Sequence, residues 1–198
     1  KFLLRLFLGF VIIFLIIFVS GYIFILTQGK SIAVSNLERL LNRQVNLDTI
    51  RLTFPLNLEI KGLDIQDFLR AKEIIVQPNL SSVFTKRIIF GRVSLIQPIF
   101  IIERLPDGKW NIPLLKTQSG KMPVLISSFI KDGAISFMDR HISSPGFNLI
   151  IDKINLNISN NVLSLNPFLT RFNLQAIAFG FKENPYATIN ADGWIDFV

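Results

Sequence analysis

From Leu6 to Leu26 the chain reads LFLGFVIIFLIIFVSGYIFIL, and no charged residue stands between Arg5 and Lys30. At about 1.5 Å of rise per helical residue this run reaches roughly 32 Å, the thickness of a bilayer's hydrocarbon core. It is apolar all round, with no polar face to turn away from a soluble core. A secretory signal has a shorter apolar region ending in small residues, whereas this run ends Ile25-Leu26-Thr27-Gln28. The stretch therefore predicts an uncleaved membrane-spanning helix, with Tyr22 as an interfacial aromatic near its far end.

Charge does not choose the helix's orientation. Lys1 and Arg5 precede it, and Lys30, Arg39 and Arg43 follow it. Because the first residue is Lys rather than Met, the natural chain is expected to start earlier. Beyond the helix the chain carries 19 Lys and Arg against 14 Asp and Glu, the 21 basic residues less Lys1 and Arg5. This excess is scattered and has no basic stripe with interleaved aromatics, which argues against nucleic acid as a partner and fits a surface near anionic headgroups. With no cysteine, disulfides and thiolate metal sites are excluded.

Three segments follow from the patterning: an anchor over 1–29, an amphipathic helix at the membrane exit over 30–45, and a β domain over 46–198. In SIAVSNLERLLNR, Ala33, Leu37, Leu40 and Leu41 share a side at helical spacing, and Ser35 and Glu38 stand at capping-box spacing. The helix could equally run on from the span.

After Gln44 the period becomes two. In VNLDTIRLTF, Ile50, Leu52 and Phe54 share one face, and Asp48 is out of step with the polar side. Pro55 ends this strand, and Leu58 and Ile60 continue the phase in a second one. At Gly62 the phase slips, as at a bulge, so that Leu63 and Ile65 carry the apolar face. Ile74 and Val76 mark a further strand, and NLSSVF a turn of helix. In the long run from Ile88 to Leu105, Val93, Leu95, Ile99 and Ile101 are placed on one face, with Ile96, Phe100 and Ile102 on the other. Pro98 inside it implies an edge strand or a bulge.

Pro106-Asp107-Gly108 is a turn signal, because proline presets φ and glycine accepts the left-handed conformation. Trp110 is expected over the sheet edge, and QSGK at 118–121 in a loop. Val124, Ile126 and Ile130, then Asp132-Gly133, then Ile135 and Phe137 read as a hairpin, since Asp-Gly between alternating runs is its usual cue. Ile150, Ile154, Leu156 and Ile158 are placed on one face of the next strand. In the last strand Ala187, Ile189, Ala191, Ile195 and Phe197 alternate with polar residues. The chain stops inside that strand, so more strands are expected to follow.

No pattern of catalytic residues emerges. Gly29-Lys30-Ser31 echoes the end of a phosphate-binding loop, but Phe24 stands where the first glycine belongs and a membrane helix precedes it. His141, the sole histidine, has Asp139 near it but lies in a Ser-Pro-Gly loop that fits a solvated residue better than a general base. Asn79 and Asn157 head glycosylation-type sequons, too weak a signal to assign a host. No carboxylate cluster has metal-ligand spacing. The expectation is a non-enzyme without cofactor or metal.

These residues also carry a resemblance. An N-terminal membrane helix leading into LLNRQVNLDTIRL, then VSLIQPIFIIERLPDGKWNIPLL, then ISSFIKDGAISFMD resembles the AsmA-like proteins, TamB-type members included. The most specific pieces are Pro98 followed by Asp107-Gly108-x-Trp110-Asn111, and Asp132-Gly133 leading to Phe137 and Asp139. The resemblance implies a bacterial inner-membrane anchor, a periplasmic body and an elongated, curved β-sheet carrying phospholipid toward the outer membrane.

Independently of it, about nine strands and one convincing helix leave too little helix to cover the sheet. The sheet then either folds on itself as a sandwich or stays a trough filled by another apolar body. Together with what the resemblance implies, the expected fold is mainly β: a curved, mostly antiparallel sheet forming an open groove or half-barrel. Acyl chains are a natural filler, and membrane phospholipids the expected partner. The alternative is a structural or assembly factor whose sheet is self-packed and whose free strand edge recruits envelope proteins.

Overall fold

The computed structural model describes residues 2–54, 56–79, 89–113, 124–142, 146–160, 169–179 and 185–196. One helix, α1 (Phe2–Leu41), is followed by β1 (Val45–Asn46), β2 (Thr49–Thr53), β3 (Asn57–Ile65), β4 (Leu69–Pro78), β5 (Ile89–Arg104), β6 (Val124–Asp139), β7 (Phe147–Asn160), β8 (Leu169–Phe179) and β9 (Pro185–Asp196). The span and the amphipathic stretch form one continuous rod, and its stretch from Phe7 is apolar and long enough to cross a membrane. Ser35 and Glu38 therefore lie mid-helix and make no capping box. The Glu38 carboxylate instead accepts the backbone N–H of Val45 at 3.2 Å. α1 ends at Asn42, which takes φ 53° and donates its N–H to the Glu38 carbonyl, a left-handed cap.

The nine strands form a single open sheet in the order β1-β3-β4-β5-β6-β7-β8-β9, with β2 also on β3. Every pairing is antiparallel except β5 with β6. Pro98 stands in the middle of the sheet rather than at its edge, opposite Ala71 of β4. Asp132-Gly133 is no hairpin turn, because β6 runs straight through it with β5 and β7 paired on either side. Asp-Gly supplies the left-handed conformation that a type I′ turn and a bulge both need. Which of the two forms is decided by strands far away in the sequence.

The core sits where α1 meets the sheet. Val45, Leu47, Ile50, Leu63, Ile65, Leu69 and Ala71 are buried, packed against Ile25, Ala33, Val34, Leu37 and Leu41 of the helix. The helix packs on β1 and β2, and among the described residues no element lies over the same face from β4 to β9. NLSSVF beyond Asn79, QSGK and Phe197 lie outside the described residues.

Candidate functional site

The face that α1 covers at its first end is here called the inner face, and its composition follows from a crease. A strand normally alternates sides at every residue. Here the alternation slips once in each strand from β1/β2 to β7, at Asp48, Gly62, Lys72, Gln97, Asp132 and Lys153. Gly62, Gln97, Asp132 and Lys153 take φ of 62°, 48°, 53° and 52°. The Asp48 carboxylate occupies the space that a Cβ on Gly62 would need. The slips are aligned across the sheet, and the pairings from β1 to β6 keep one register through them. The β7–β8 pairing absorbs the offset between Asp152 and Asn155, so β8 alternates regularly.

Because the slips are shared, apolar residues stay on one side along both flanks. On one flank, cross-strand partners run Ile50, Ile60, Ile74, Leu95, Ile130, Leu156 and Leu174. On the other they run Ile65, Leu69, Phe100, Ile135, Ile151 and Ala178. Between them lies a floor of Ala71, Pro98, Gly133, Ile154 and Ala176, all buried. A Cβ on Gly133 would come within 2.8 Å of Ile130 Cγ2 and 3.2 Å of Pro98 Cγ, so only glycine lets the strands close there. Over this floor the inner face holds a wholly apolar cavity of about 200 Å³, lined from β5 to β9 by residues including Phe100, Ile151, Ile154, Leu156, Leu174 and Ile189. One face of one sheet lines a cavity only if that face is concave.

Most predicted positions fall on the inner face: Ile50, Leu52, Leu58, Ile60, Ile74, Val76, Val93, Leu95, Ile126, Ile135, Phe137, Ile154, Leu156, Ile158, Ile189 and Ile195. Val124 opens β6, its backbone paired with Ile89. Three positions are corrected by the crease. Ile99 and Ile101 lie beyond the slip at Gln97 and face outward, so Phe100 and Ile102 take the inner face. Ile150 lies before the slip at Lys153 and faces outward beside Ser136, so Ile151 replaces it. Ile99 is 45% and Ile150 42% exposed, so at these two positions nothing covers the outer side among the described residues. Phe54 belongs to neither face, standing 96% exposed in the turn between β2 and β3.

At the strand ends of β5 and β6 the face is bordered by a tight turn and the residues that follow it. Leu105 to Lys109 form the expected tight turn, with Gly108 at φ 83° and its N–H donating to Leu105 O at 2.9 Å. The Lys109 amide, then its ammonium, hold the Asp107 carboxyl below its usual range. Trp110 is not at the lateral edge. It stacks on Phe137, 5.9 Å between centroids, with the Arg104 guanidinium 5.7 Å from its ring. Asn111 is buried: its Nδ2 donates to Asp67 O at 2.6 Å and Ile101 O at 2.9 Å, and its Oδ1 accepts Glu103 N–H at 2.7 Å. Arg43, just past α1, donates to the carbonyls of Asn111 and Gln66. The helix end, the β3–β4 turn and β5 are thereby tied together.

Asp139 and His141 form no catalytic pair. The buried Asp139 carboxylate accepts the backbone N–H of His141 at 2.9 Å and lies 3.6 Å from Arg104, while the imidazole Nδ1 sits 3.0 Å from Pro106 O. On the outer face the Lys61 ammonium, hydrogen-bonded to Glu59 at 2.7 Å, holds that carboxyl low and is itself held protonated to higher pH. Among the described residues no three His, Cys, Asp or Glu side chains converge as a metal site. No protein-family model matches the chain, and no curated protein matches it. The inner face itself, apolar along both flanks of the crease and uncovered beyond α1 among the described residues, is thus the strongest candidate site.

Proposed function

We propose that this chain is a single-pass membrane protein whose inner sheet face carries the acyl chains of phospholipids away from the bilayer. The observation that supports the reading best is the apolar face from β4 to β9, which no element covers among the described residues and which begins against the helix suited to span the membrane. Contiguous apolar surface on this scale marks a partner or a lipid. From β1 to β9 the face runs across the strands for roughly 34 Å, at about 4.8 Å per strand. Each buried methylene is worth about 0.8 kcal/mol in the bilayer and a similar amount in an apolar trough, so exchange between them is close to neutral. A conduit needs that balance, because a deep well would trap its cargo. The resemblance to AsmA-like proteins supports the same reading, and with it a bacterial inner-membrane anchor and a periplasmic sheet.

The crease makes the test sharp, since Ile150 and Ile151 are sequence neighbours on opposite faces. A photoreactive residue at Ile151 or Ile189, in the chain reconstituted in phospholipid nanodiscs, is expected to yield lipid adducts, and one at Ile150 is not. Equal lipid labelling at Ile150 and Ile151, or none at Ile151, contradicts the proposal. Protein adducts at Ile189 in whole cells, without lipid, would favour an assembly factor, a reading for which the outer edge of β9, unpaired among the described residues, gives the opening.

A further inference from the structure

Where α1 leaves the apolar span, a depression of about 400 Å³ opens between the helix and β1, lined by Thr27, Lys30, Ser31, Val34, Ser35, Val45, Asn46 and Leu47. Its depth relative to a bilayer follows from the sequence. Leu26 is the last residue of the uncharged apolar run, so Thr27 to Ser35 occupy the headgroup level. Its chemistry is mixed. α1 supplies the Lys30 ammonium, the Ser31 and Ser35 hydroxyls and the half-buried Val34, and the facing β1 segment supplies the exposed Asn46 amide between Val45 and Leu47, whose side chains are buried in the core at the first end of the inner face.

These donors are available. The Lys30 Nζ makes one bond, to Asp48 O at 3.2 Å, and has two further protons. Ser31, Ser35 and Asn46 have no side-chain partner among the described residues. Thr27 differs, because its hydroxyl is already given to the helix carbonyls of Ile23 and Phe24. No carboxylate lines the depression, and the nearby Glu38 carboxylate is engaged by the Val45 amide. A cation with hydroxyl and amide donors, no opposing acid and an apolar neighbour in Val34 suits a phosphate ester that carries an apolar tail.

We propose that this depression holds the phosphate of a bilayer phospholipid while its tail passes to the inner face. Lys30 supplies the charge, Ser31, Ser35 and Asn46 supply the hydrogen bonds, and the half-buried Val34 meets the first methylenes. The passage of the tail rests on the groove reading above; the capture of the phosphate does not.

The test uses the full chain in nanodiscs containing phosphatidylcholine and diacylglycerol in equal amounts. A zwitterionic phospholipid keeps long-range attraction small, and diacylglycerol has the tails without the phosphate. A photoreactive residue at Thr27 removes none of the proposed donors. Adducts there are expected to favour phosphatidylcholine by about tenfold, the worth of one charge-assisted bond. Lys30→Gln is expected to abolish this preference, and the double variant Ser31→Ala, Ser35→Ala, which leaves the Lys30–Asp48 contact intact, to reduce it. Arg39→Gln, a helix cation outside the depression, is expected to leave it unchanged.

An unchanged preference in Lys30→Gln and in the serine double variant overturns the site. So does an equal loss in Arg39→Gln, which would make the effect one of general charge. Millimolar inorganic phosphate erasing the preference would make it a site for free phosphate and equally overturns it. A second photoreactive residue at Ile151 separates the two readings: lipid at Thr27 but none at Ile151 defeats the groove while leaving the headgroup site standing.

Discussion

Asn111 carries more of the architecture than its size suggests. Its amide holds the Ile101 carbonyl and the Glu103 N–H of β5 and the Asp67 carbonyl of the β3–β4 turn, and so ties that turn to β5. Asn111→Ala removes three hydrogen bonds and leaves part-buried backbone groups unpaired, a loss of about 3 kcal/mol. Urea unfolding of the chain in nanodiscs, followed through the fluorescence of neighbouring Trp110, should show that loss; a change below about 1 kcal/mol would contradict the role given to it. The sequence made Asp107-Gly108-x-Trp110-Asn111 visible as a turn and a motif. It could not show that Asn111 reaches back 44 residues to Asp67, because that contact exists only once β3, β4 and β5 are paired.

At the scale of elements the crease decides which side chains reach the inner face, and its legibility varied with the residue that makes it. Gly62 was readable as a bulge, since glycine is the usual residue for φ above zero. Asp132-Gly133 gave the right conformation but suggested the wrong element. The slip at Gln97 had a warning in the neighbouring Pro98, read as an edge strand or a bulge, and Lys153 gave none; the simple alternation carried across both misplaced Ile99, Ile101 and Ile150. Both residues hold a left-handed conformation that costs a side-chain-bearing residue about 1 kcal/mol or more. Gln97 offsets part of this by donating to Asp132 Oδ2 at 3.0 Å, and Lys153 N–H donates to Asp152 Oδ1 at 2.7 Å. Lys153→Gly is therefore expected to raise stability by about 0.5–1 kcal/mol and Lys153→Val to lower it by about 1–2 kcal/mol. Denaturant midpoints of the two variants check the difference. If valine is tolerated as well as glycine, the bend at this strand is not what the left-handed φ imposes.

For the whole molecule, the open sheet with a helix at one end leaves an apolar face that protein does not cover among the described residues. The uncharged run at Leu6 to Leu26 and the period-two patterning were enough to expect an anchored, mainly β chain with about nine strands. What the pattern could not supply was the shared bend that turns nine strands into one continuous lining.

Native mass spectrometry of the full chain released from phospholipid nanodiscs tests that claim most directly, with paired charges placed on either side of the sheet. Ile151→Glu with Leu156→Glu, on the inner face, is expected to shed most of the phospholipid that the unaltered chain retains. Ile150→Glu with Asn155→Glu, on the outer face, is expected to keep it. Equal retention in the two variants would contradict the account, because lipid would then be held without the face that the crease assembles.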